Sequence, residues 1–190
     1  KERSTVRYNY CENTTIKAES TLTKRNENVG GAIGHASYST SYYCGVVNGK
    51  VLAPNLDNVG GIVGKVGVSI STNYTLSQSY ALAEYEKDSG TAAAKSDYKV
   101  VGYTNVGGIV GKLMVGTIKD CSYQGTVSSN HQNMGGITGQ MNNASYVIGC
   151  SFKGSVTRTA GNSGKHQTGG IVGHVSTATG LVQDCTFDGS

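Results

Sequence analysis

An eight-residue stretch, Asn-Val-Gly-Gly-Ile-Val-Gly-Lys, occurs twice in this chain, at residues 58–65 and 105–112. Looser copies lie at residues 28–35, 133–140 and 167–174. Repeats with periods of roughly 20–50 residues indicate solenoids, propellers or arrays, because a single unit of that size cannot bury its own apolar face. The recurrence therefore predicts a stack of similar units, in which each unit shields its neighbour from water.

Each copy contains two adjacent glycines followed by an apolar pair. These glycines are Gly30, Gly31, Gly60, Gly61, Gly107, Gly108, Gly135, Gly136, Gly169 and Gly170. Glycine is needed where the backbone turns tightly or passes close to another segment. The fixed spacing of the apolar residues excludes a flexible linker, so we interpret the glycines as structural residues of the repeat.

A second element begins with cysteine and then alternates apolar and polar residues. It reads Cys-Ser-Tyr-Gln-Gly-Thr-Val at residues 121–127 and Cys-Ser-Phe-Lys-Gly-Ser-Val at residues 150–156. A period of two is typical of a strand with one buried face. The five cysteines are therefore predicted to share one register position and one interior column: Cys11, Cys44, Cys121, Cys150 and Cys185. Two further inward columns are predicted to hold Ile62, Ile109, Ile137 and Ile171, and then Tyr123, Phe152 and Phe187.

The glycine-rich core followed by the cysteine-led strand resembles the GLUG motif. That motif is found in large bacterial surface and secreted proteins, which include adhesin-like proteins and the non-catalytic region of immunoglobulin A-specific metallopeptidases. The resemblance extends from about residue 28 to the end of the chain. It implies a parallel β-helix on a cell surface, whereas the spacing by itself predicts only a β-rich repeat.

We predict an all-β fold, a right-handed parallel β-helix of about five to six coils, with a β-sandwich of the same strands as the alternative. Right-handedness follows from the general preference of parallel crossovers. Helical spacing is absent, and 28 glycines would penalise helices heavily. Residues 1–190 are interpreted as a single solenoid stretch, and the end of the chain within a motif suggests a piece of a longer protein.

The second unit is longer than the others, and residues at about 76–103 are predicted to form an inserted loop. Insertions in solenoids map to loops on one face, which is often the binding face. The candidate ligand-binding residues are therefore Tyr80, Glu84, Tyr85, Glu86 and Asp88. A surface excursion without function is the alternative, because long loops cost little free energy. Six tyrosines are considered for contact with a glycan or a protein, or for partial burial: Tyr42, Tyr43, Tyr80, Tyr85, Tyr98 and Tyr103.

No catalytic constellation stands out in the sequence. A Walker A loop needs Ser or Thr after its Gly-Lys pair, but Lys65 precedes Val66 and Lys112 precedes Leu113. The cysteines lack C-x-x-C spacing and the four histidines are dispersed, so we predict no metal site and no cofactor. The net charge of +4 is scattered, which disfavours nucleic acid as a partner. No apolar run approaches the ~20 residues of a membrane span.

The resemblance implies a non-catalytic repeat module at the cell surface or outside the cell, with a role in adhesion, ligand presentation or as a structural stalk. Its partner would be a protein or a glycan of a host or of a cell surface. Two alternatives are a glycan-active enzyme on a β-helix and an accessory spacer of a larger secreted peptidase. An enzyme would need acidic or basic side chains clustered in one groove.

The interior column predicts that the cysteines are free thiols. Parallel stacking places neighbouring side chains about 4.8 Å apart and pointing the same way, which suits disulfide geometry poorly. Protein that is unfolded without prior reduction should therefore show five thiols on titration. A count of one thiol would mean two disulfides and would contradict the column.

Overall fold

The computed structural model describes residues 4–20, 27–37, 39–67, 75–82, 98–159 and 166–190, without the side chains of Ser4 and of Tyr80–Leu82. Over those residues the chain forms 25 short strands and no helix. Every strand pairing is parallel. The strands follow one another around a repeated coil, so the parallel β-helix predicted from the sequence is confirmed and the β-sandwich is not observed.

The first three coils have five strands each. The first consists of β1 (Ser4–Arg7), β2 (Tyr10–Glu12), β3 (Thr15–Lys17), β4 (Val29–Gly30) and β5 (Ile33–Ala36). The second consists of β6 (Ser39–Tyr42), β7 (Gly45–Val47), β8 (Lys50–Leu52), β9 (Asp57–Gly60) and β10 (Val63–Val66). The third consists of β11 (Thr75–Ser77), β12 (Tyr80–Leu82), β13 (Lys99–Gly102), β14 (Thr104–Gly107) and β15 (Val110–Leu113).

The fourth and fifth coils have four strands each, because two short strands merge into one long strand. The fourth consists of β16 (Gly116–Lys119), β17 (Ser122–Ser129), β18 (Met134–Gly135) and β19 (Thr138–Met141). The fifth consists of β20 (Ser145–Ile148), β21 (Ser151–Arg158), β22 (Thr168–Gly169) and β23 (Val172–Val175). A partial sixth coil adds β24 (Leu181–Gln183) and β25 (Thr186–Gly189).

Equivalent strands of successive coils build four parallel sheets. The first sheet, which we name the threonine sheet, has the order β1-β6-β11-β16-β20-β24. The sheet that follows it in each coil contains nine strands, from β2 and β3 to β21 and β25. The last two sheets have five strands each, in the orders β22-β18-β14-β9-β4 and β23-β19-β15-β10-β5. Each position in a coil therefore recurs as a column along the stack.

The extra residue of the second coil lies at a corner. Lys50 is in register with Lys99 and hence with Thr126, so Asn48 has no counterpart in the long strand β17. Asn48 has a φ of 51°, a left-handed conformation that asparagine tolerates better than most residues. The extra residue therefore lies in the break between β7 and β8.

The aromatic and isoleucine columns are largely as predicted. Ile62, Ile109 and Ile137 are fully buried, and Ile171 is partly buried. The ring of Tyr123 stacks on Phe152, with 5.5 Å between the ring centroids. Phe187 continues the stack at 5.2 Å but is 43 % exposed, because it lies in the partial last coil.

The cysteine column differs from the prediction at Cys11 and in the third coil. Cys11 is in register with Val46, two residues beyond the position of Cys44. The counterpart of Cys44 in the first coil is Asn9, and in the third coil it is Ser79. The prediction of five cysteines at one position is therefore wrong: four share it, and an asparagine and a serine complete the column.

The polar atoms at this position explain the exchange. The side chain of each residue in the column donates a hydrogen bond to the carbonyl oxygen two residues earlier. The donors are Asn9 (3.3 Å), Cys44 (3.8 Å), Ser79 (3.0 Å), Cys121 (3.2 Å), Cys150 (3.4 Å) and Cys185 (3.2 Å). A backbone N–H group of the preceding coil also donates to the carbonyl oxygens of Tyr42, Ser77, Lys119, Ile148 and Gln183. The side chain therefore adds a second hydrogen bond to the same oxygen, and a small donor fits inside the corner. The position therefore selects a small donor, and cysteine is one of three that serve.

Tyr98 fills the interior where the aromatic column is interrupted. Its position in the ladder matches that of Gly125, near the middle of the long strand β17. The ring is fully buried and meets Tyr123 edge to face, with 5.7 Å between centroids. Its hydroxyl donates to the carbonyl oxygen of Gly61 at 3.0 Å, and burial raises the pKa of this phenol well above its ordinary value. Of the two roles considered for Tyr98, surface contact and burial, the structure therefore shows burial.

The glycines allow the last two sheets to meet without side chains between them. A Cβ atom added to Gly111 would lie 2.5 Å from the backbone of Asn58 and Val59 in the preceding coil. A Cβ atom on Gly64 or Gly139 would meet the same part of the coil before it, at 2.5 Å and 2.4 Å. Real Cβ atoms do not approach backbone so closely. The repeated motif therefore marks the edge at which the coil folds back on itself.

An asparagine ladder runs along the same edge. The Asn58 amide donates to the side-chain oxygen of Asn28 at 3.0 Å, Asn105 donates to Asn58 at 2.9 Å, and Asn133 donates to Asn105 at 2.7 Å. Asn58, Asn105 and Asn133 all have φ between 52° and 59° and are buried. Stacked amides of this kind stabilise parallel in-register strands. The asparagine that begins the sequence motif is therefore explained by its hydrogen bonds in this ladder.

The span 76–103, predicted as an inserted loop, contains paired strands at both ends. β11 and β12 pair with strands of the second and fourth coils, and so does β13. Residues 83–97 lie outside the described residues. The additional length of the third coil is therefore accommodated between β12 and β13, which belong to the nine-stranded sheet.

We expect Gly111→Ala to destabilise the fold through a backbone clash. Overpacking a closely packed site costs typically about 1–3 kcal/mol, and the fully buried Gly111 faces backbone atoms that cannot move aside. Gly180→Ala is the matched control, because its new Cβ would meet the ends of side chains, the Met141 methyl at 2.8 Å and a Val175 methyl at 3.3 Å, and its nearest backbone atom would lie 3.7 Å away. Chemical unfolding should give a clear loss of unfolding free energy for the first variant and about 1 kcal/mol or less for the second. Equal losses would contradict the close-approach interpretation.

Candidate binding surface

The predicted ligand residues lie almost wholly outside what the structure describes. Glu84, Tyr85, Glu86 and Asp88 fall within residues 83–97, which are not described. Tyr80 lies in β12, where its backbone pairs with Gly45 and Ser122. The proposal that these residues bind a ligand therefore stays a prediction.

An exposed cluster of tyrosines lies at the corner between the threonine sheet and the nine-stranded sheet, in the first two coils. We name it the tyrosine patch and define it as Arg7, Tyr8, Tyr10, Tyr42 and Tyr43. The rings of Tyr8 and Tyr43 are parallel within 1°, with centroids 5.2 Å apart. Tyr42 meets both edge to face, at 6.3 Å and 5.6 Å, and its hydroxyl accepts a hydrogen bond from Arg7 at 3.4 Å. Tyr8, Tyr10 and Tyr43 are 69 %, 48 % and 42 % exposed.

Two tyrosines of this patch have an unusual backbone. Tyr8 and Tyr43 have φ of 54° and 53°, a left-handed conformation that is rare for bulky residues. Ladder pairing puts them in one column with Gln78, Asp120, Gly149 and Asp184, which have positive φ as well. The corner itself therefore requires this conformation. Asparagine, aspartate or glycine would adopt it at lower cost than tyrosine.

A row of hydroxyl groups borders the patch on the outer face of the threonine sheet. It is formed by one threonine in each of the first four coils: Thr5, Thr40, Thr75 and Thr117. The next outward column holds Arg7, Tyr42, Ser77 and Lys119. Lys119 lies 3.9 Å from the carboxylate of Asp120. This face is thus rich in hydroxyl groups and carries little net charge.

A column of basic and amide side chains lies on the sheet that ends each coil. It consists of His35, Lys65, Lys112, Gln140 and His174. His35 is exposed, whereas the other four are half-buried. Partial burial and the neighbouring Lys65 lower the pKa of Lys112, and Asp57 opposes that shift. The interpretation of this position as polar surface agrees with its exposure, and a positive charge at Lys112 is mildly unfavourable there.

Two histidines, His131 and His166, lie near the end of the long strands and are joined by a hydrogen bond. The imidazole of His131 stacks on Tyr103, with centroids 4.4 Å apart, and its Nδ1 lies 2.9 Å from the hydroxyl of Thr104. His166 bonds through Nδ1 to the carbonyl oxygen of His131 at 3.0 Å and lies 2.6 Å from Arg158 through Nε2. Tyr103 therefore has a structural partner, and this cluster holds the loop ends of three coils together.

The described residues do not assemble a recognisable catalytic or metal site. Among them no group of three or more histidine, cysteine or acidic side chains is arranged to hold a metal ion. Asp120 and Asp184 share one column but belong to the fourth and the sixth coil, and Gly149 of the fifth coil lies between them. In the same part of the chain, no helix has the length and apolar character needed to cross a bilayer.

The sequence interpretation identified Tyr42 and Tyr43 but missed Tyr8 and Tyr10. It aligned the first coil on Cys11, and that alignment displaces the strand by two residues. A better signal was available in the apolar strand that follows. Tyr8 precedes Ile16 by the same number of residues as Tyr43 precedes Val51, and Ile16 and Val51 are ladder partners. Aligning on the apolar residues would have placed Tyr8 beside Tyr43.

We expect Lys112→Gln to raise stability slightly at neutral pH. The folded-state pKa of Lys112 lies below its unfolded value, so the unfolded chain binds more protons and stability rises with pH toward the unfolded pKa. Because the side chain is half exposed, screening limits the gain to about 0.5 kcal/mol or less. Thermal unfolding at low salt should show the gain at pH 7 and its progressive loss as the pH rises through the ordinary lysine pKa of 10.5. Lys17→Gln, at an exposed lysine opposite Leu52, is the control and should show neither change.

Comparison with known proteins agrees with the coil geometry. Residues 102–128 match the GLUG motif. Gly102 pairs with Ser129, so the matched stretch is one complete turn of the solenoid. Over 169 aligned residues the chain is 32 % identical to halomucin of Haloquadratum walsbyi. The alignment covers 80 % of this chain and 2 % of halomucin. No solved structure matches the chain. Halomucin is archaeal, so the bacterial origin stays a prediction. The chain carries a GLUG repeat over those residues, and the resemblance stated from its sequence is confirmed.

Proposed function

We propose that this chain is a non-catalytic surface module whose stacked coils present a ligand-binding face. The observation that carries the proposal is the parallel register, which repeats each outward position as a column along the stack. A solenoid of this kind is a rigid rod with long faces, and such faces suit extended ligands. The partner would be a protein or a glycan at a cell surface.

The comparisons support the location of the module. GLUG repeats and similarity to halomucin, a large surface protein, both favour an extracellular or cell-surface site. The chain spans 2 % of the length of halomucin, so the proposal concerns this module alone. A role as an accessory spacer in a larger secreted protein is compatible with the same rod.

An enzymatic role is the second candidate, and one feature would have to carry it. Glycoside hydrolysis needs two carboxylates that flank the scissile bond. Asp120 and Asp184 are the described acidic residues that share an outward column. Both are exposed at a corner, and the intervening position is Gly149. Exposed carboxylates at a corner stay in contact with solvent, whereas a hydrolase encloses its substrate and excludes water.

The purified chain should therefore release neither reducing sugar from a panel of polysaccharides nor amine from a peptide library. Antibodies raised against it should label intact, unpermeabilised cells of the source organism. Release of sugar that disappears in Asp120→Asn would show that the chain is an enzyme. Labelling that requires permeabilised cells would contradict the surface location.

A further inference from the structure

We infer that the tyrosine patch is a binding site for an extended neutral glycan. This inference rests on the proposed function, because it gives the presenting module a specific site and a ligand class. The patch consists of Arg7, Tyr8, Tyr10, Tyr42 and Tyr43, at the corner between the threonine sheet and the nine-stranded sheet. It is distinct from the predicted ligand residues of the third coil.

The exposure of the rings is the first reason. Aromatic side chains bury 150–250 Å² each when they are covered, and they dominate the energetics of interfaces. Tyr43 lies in the second coil, with a coil on either side, yet 42 % of it remains exposed. Its exposure is therefore a property of the corner and does not depend on the first coil being the end of the described stack. Tyr8 extends the same aromatic surface by one coil.

The backbone conformation is the second reason. A left-handed conformation costs a bulky residue roughly 1–2 kcal/mol. The cost is incurred at both Tyr8 and Tyr43, whereas later coils use Gln78, Asp120, Gly149 and Asp184 at that position. The mutual stacking of the two rings returns about 0.5–1.5 kcal/mol, and little core burial is gained because both side chains point outward. Tyrosine at this corner is thus better explained by an external contact than by stability.

The chemistry of the surroundings selects a glycan. A pyranose ring presents an apolar C–H face that packs on an aromatic ring, and its hydroxyl groups bond to polar groups at the ring edge. The patch supplies tyrosine hydroxyls and the Arg7 guanidinium. The adjoining face of the threonine sheet adds the row of hydroxyls from Thr5 to Thr117.

A protein partner and an acidic glycan fit less well. Tyrosine and arginine are enriched at the hot spots of protein interfaces as well, but those residues are packed in fully desolvated pockets. The patch contains no aliphatic side chain, and Tyr8, Tyr10 and Tyr43 are exposed at a corner of the coil. An acidic glycan would need a concentration of positive charge. The patch holds Arg7 alone. Lys119 lies in the same column but two coils beyond Tyr42 and beside Asp120, and Lys65 and Lys112 lie on the sheet that ends each coil.

The test uses the intact 190-residue chain in affinity gel electrophoresis. The probes are three neutral polysaccharides, namely mixed-linkage β-glucan, arabinoxylan and mannan, the acidic polygalacturonate, and asialofetuin, a glycoprotein whose glycans are neutral, before and after enzymatic removal of its N-linked and O-linked glycans. The ring-removing variant combines Tyr8→Asn with Tyr43→Asn. Asparagine prefers the left-handed conformation, so this variant should fold, which circular dichroism and thermal unfolding verify. Val175→Asn is the control, at an exposed apolar residue on the sheet that ends each coil, away from the patch and the hydroxyl row.

We expect at least one neutral polysaccharide, or glycosylated asialofetuin, to retard the wild-type chain. The ring-removing variant should lose at least tenfold in affinity, and the control should keep it. A variant that combines Tyr8→Phe with Tyr43→Phe should keep most of the affinity, because both ring faces remain.

Four outcomes would overturn the inference. They are no retardation by any neutral probe, equal affinity of the ring-removing variant, binding to polygalacturonate alone with strong salt dependence, and binding to asialofetuin that survives deglycosylation. The third outcome would assign binding to the lysines, and the fourth would assign it to a protein partner. None of these outcomes depends on whether the chain turns over a substrate or whether antibodies label intact cells, so the proposed function is tested separately.

Discussion

Parallel stacking of one coil on the next, residue against residue, is the constraint on which the rest of this structure depends. Every backbone group at a ladder position finds its partner in the coil before or after it, so a coil cannot change length within a strand without leaving polar groups unpaired. Extra residues are therefore confined to corners. Asn48 adds one residue at a corner, and the third coil accommodates its additional length between β12 and β13. The same rule explains why identical side chains recur in columns.

Two kinds of position are demanding in this arrangement. The edge where the last two sheets meet admits only glycine, because the backbone of the preceding coil lies where a Cβ atom would be. The corner before the cysteine-led strand needs a left-handed residue followed by a small hydrogen-bond donor. Cys121, Ser79 and Asn9 all satisfy the second requirement in the same way. The edge therefore requires glycine, whereas the corner requires only a small side chain that can donate a hydrogen bond.

The sequence predicted the demanding positions and misjudged the permissive ones. The glycine pairs follow from spacing alone, because the same requirement recurs in all five copies of the motif. The isoleucine column follows in four copies, and Ala32 takes this position in the first. The cysteine column was interpreted as small and apolar, so Asn9 and Ser79 were missed and Cys11 was misplaced. For Tyr98 the sequence left surface contact and burial both open, because this residue reaches the interior from a different strand position than Tyr123. It shows that the core selects for filled volume, which several residues can supply. The right-handedness of the coil stays a prediction.

The outer surface follows a different logic, and this limits what a repeat motif can say about a ligand. At the left-handed corner the backbone accepts tyrosine, glutamine, aspartate and glycine in successive coils, and each side chain points to solvent. Substitution there changes the chemistry of the face while the ladder beneath it stays paired. A GLUG match over one turn therefore determines how the chain coils and leaves the outward residues free to vary. What the module binds must be sought in the positions where the outward residue is costly for the backbone, since stability alone would have removed it.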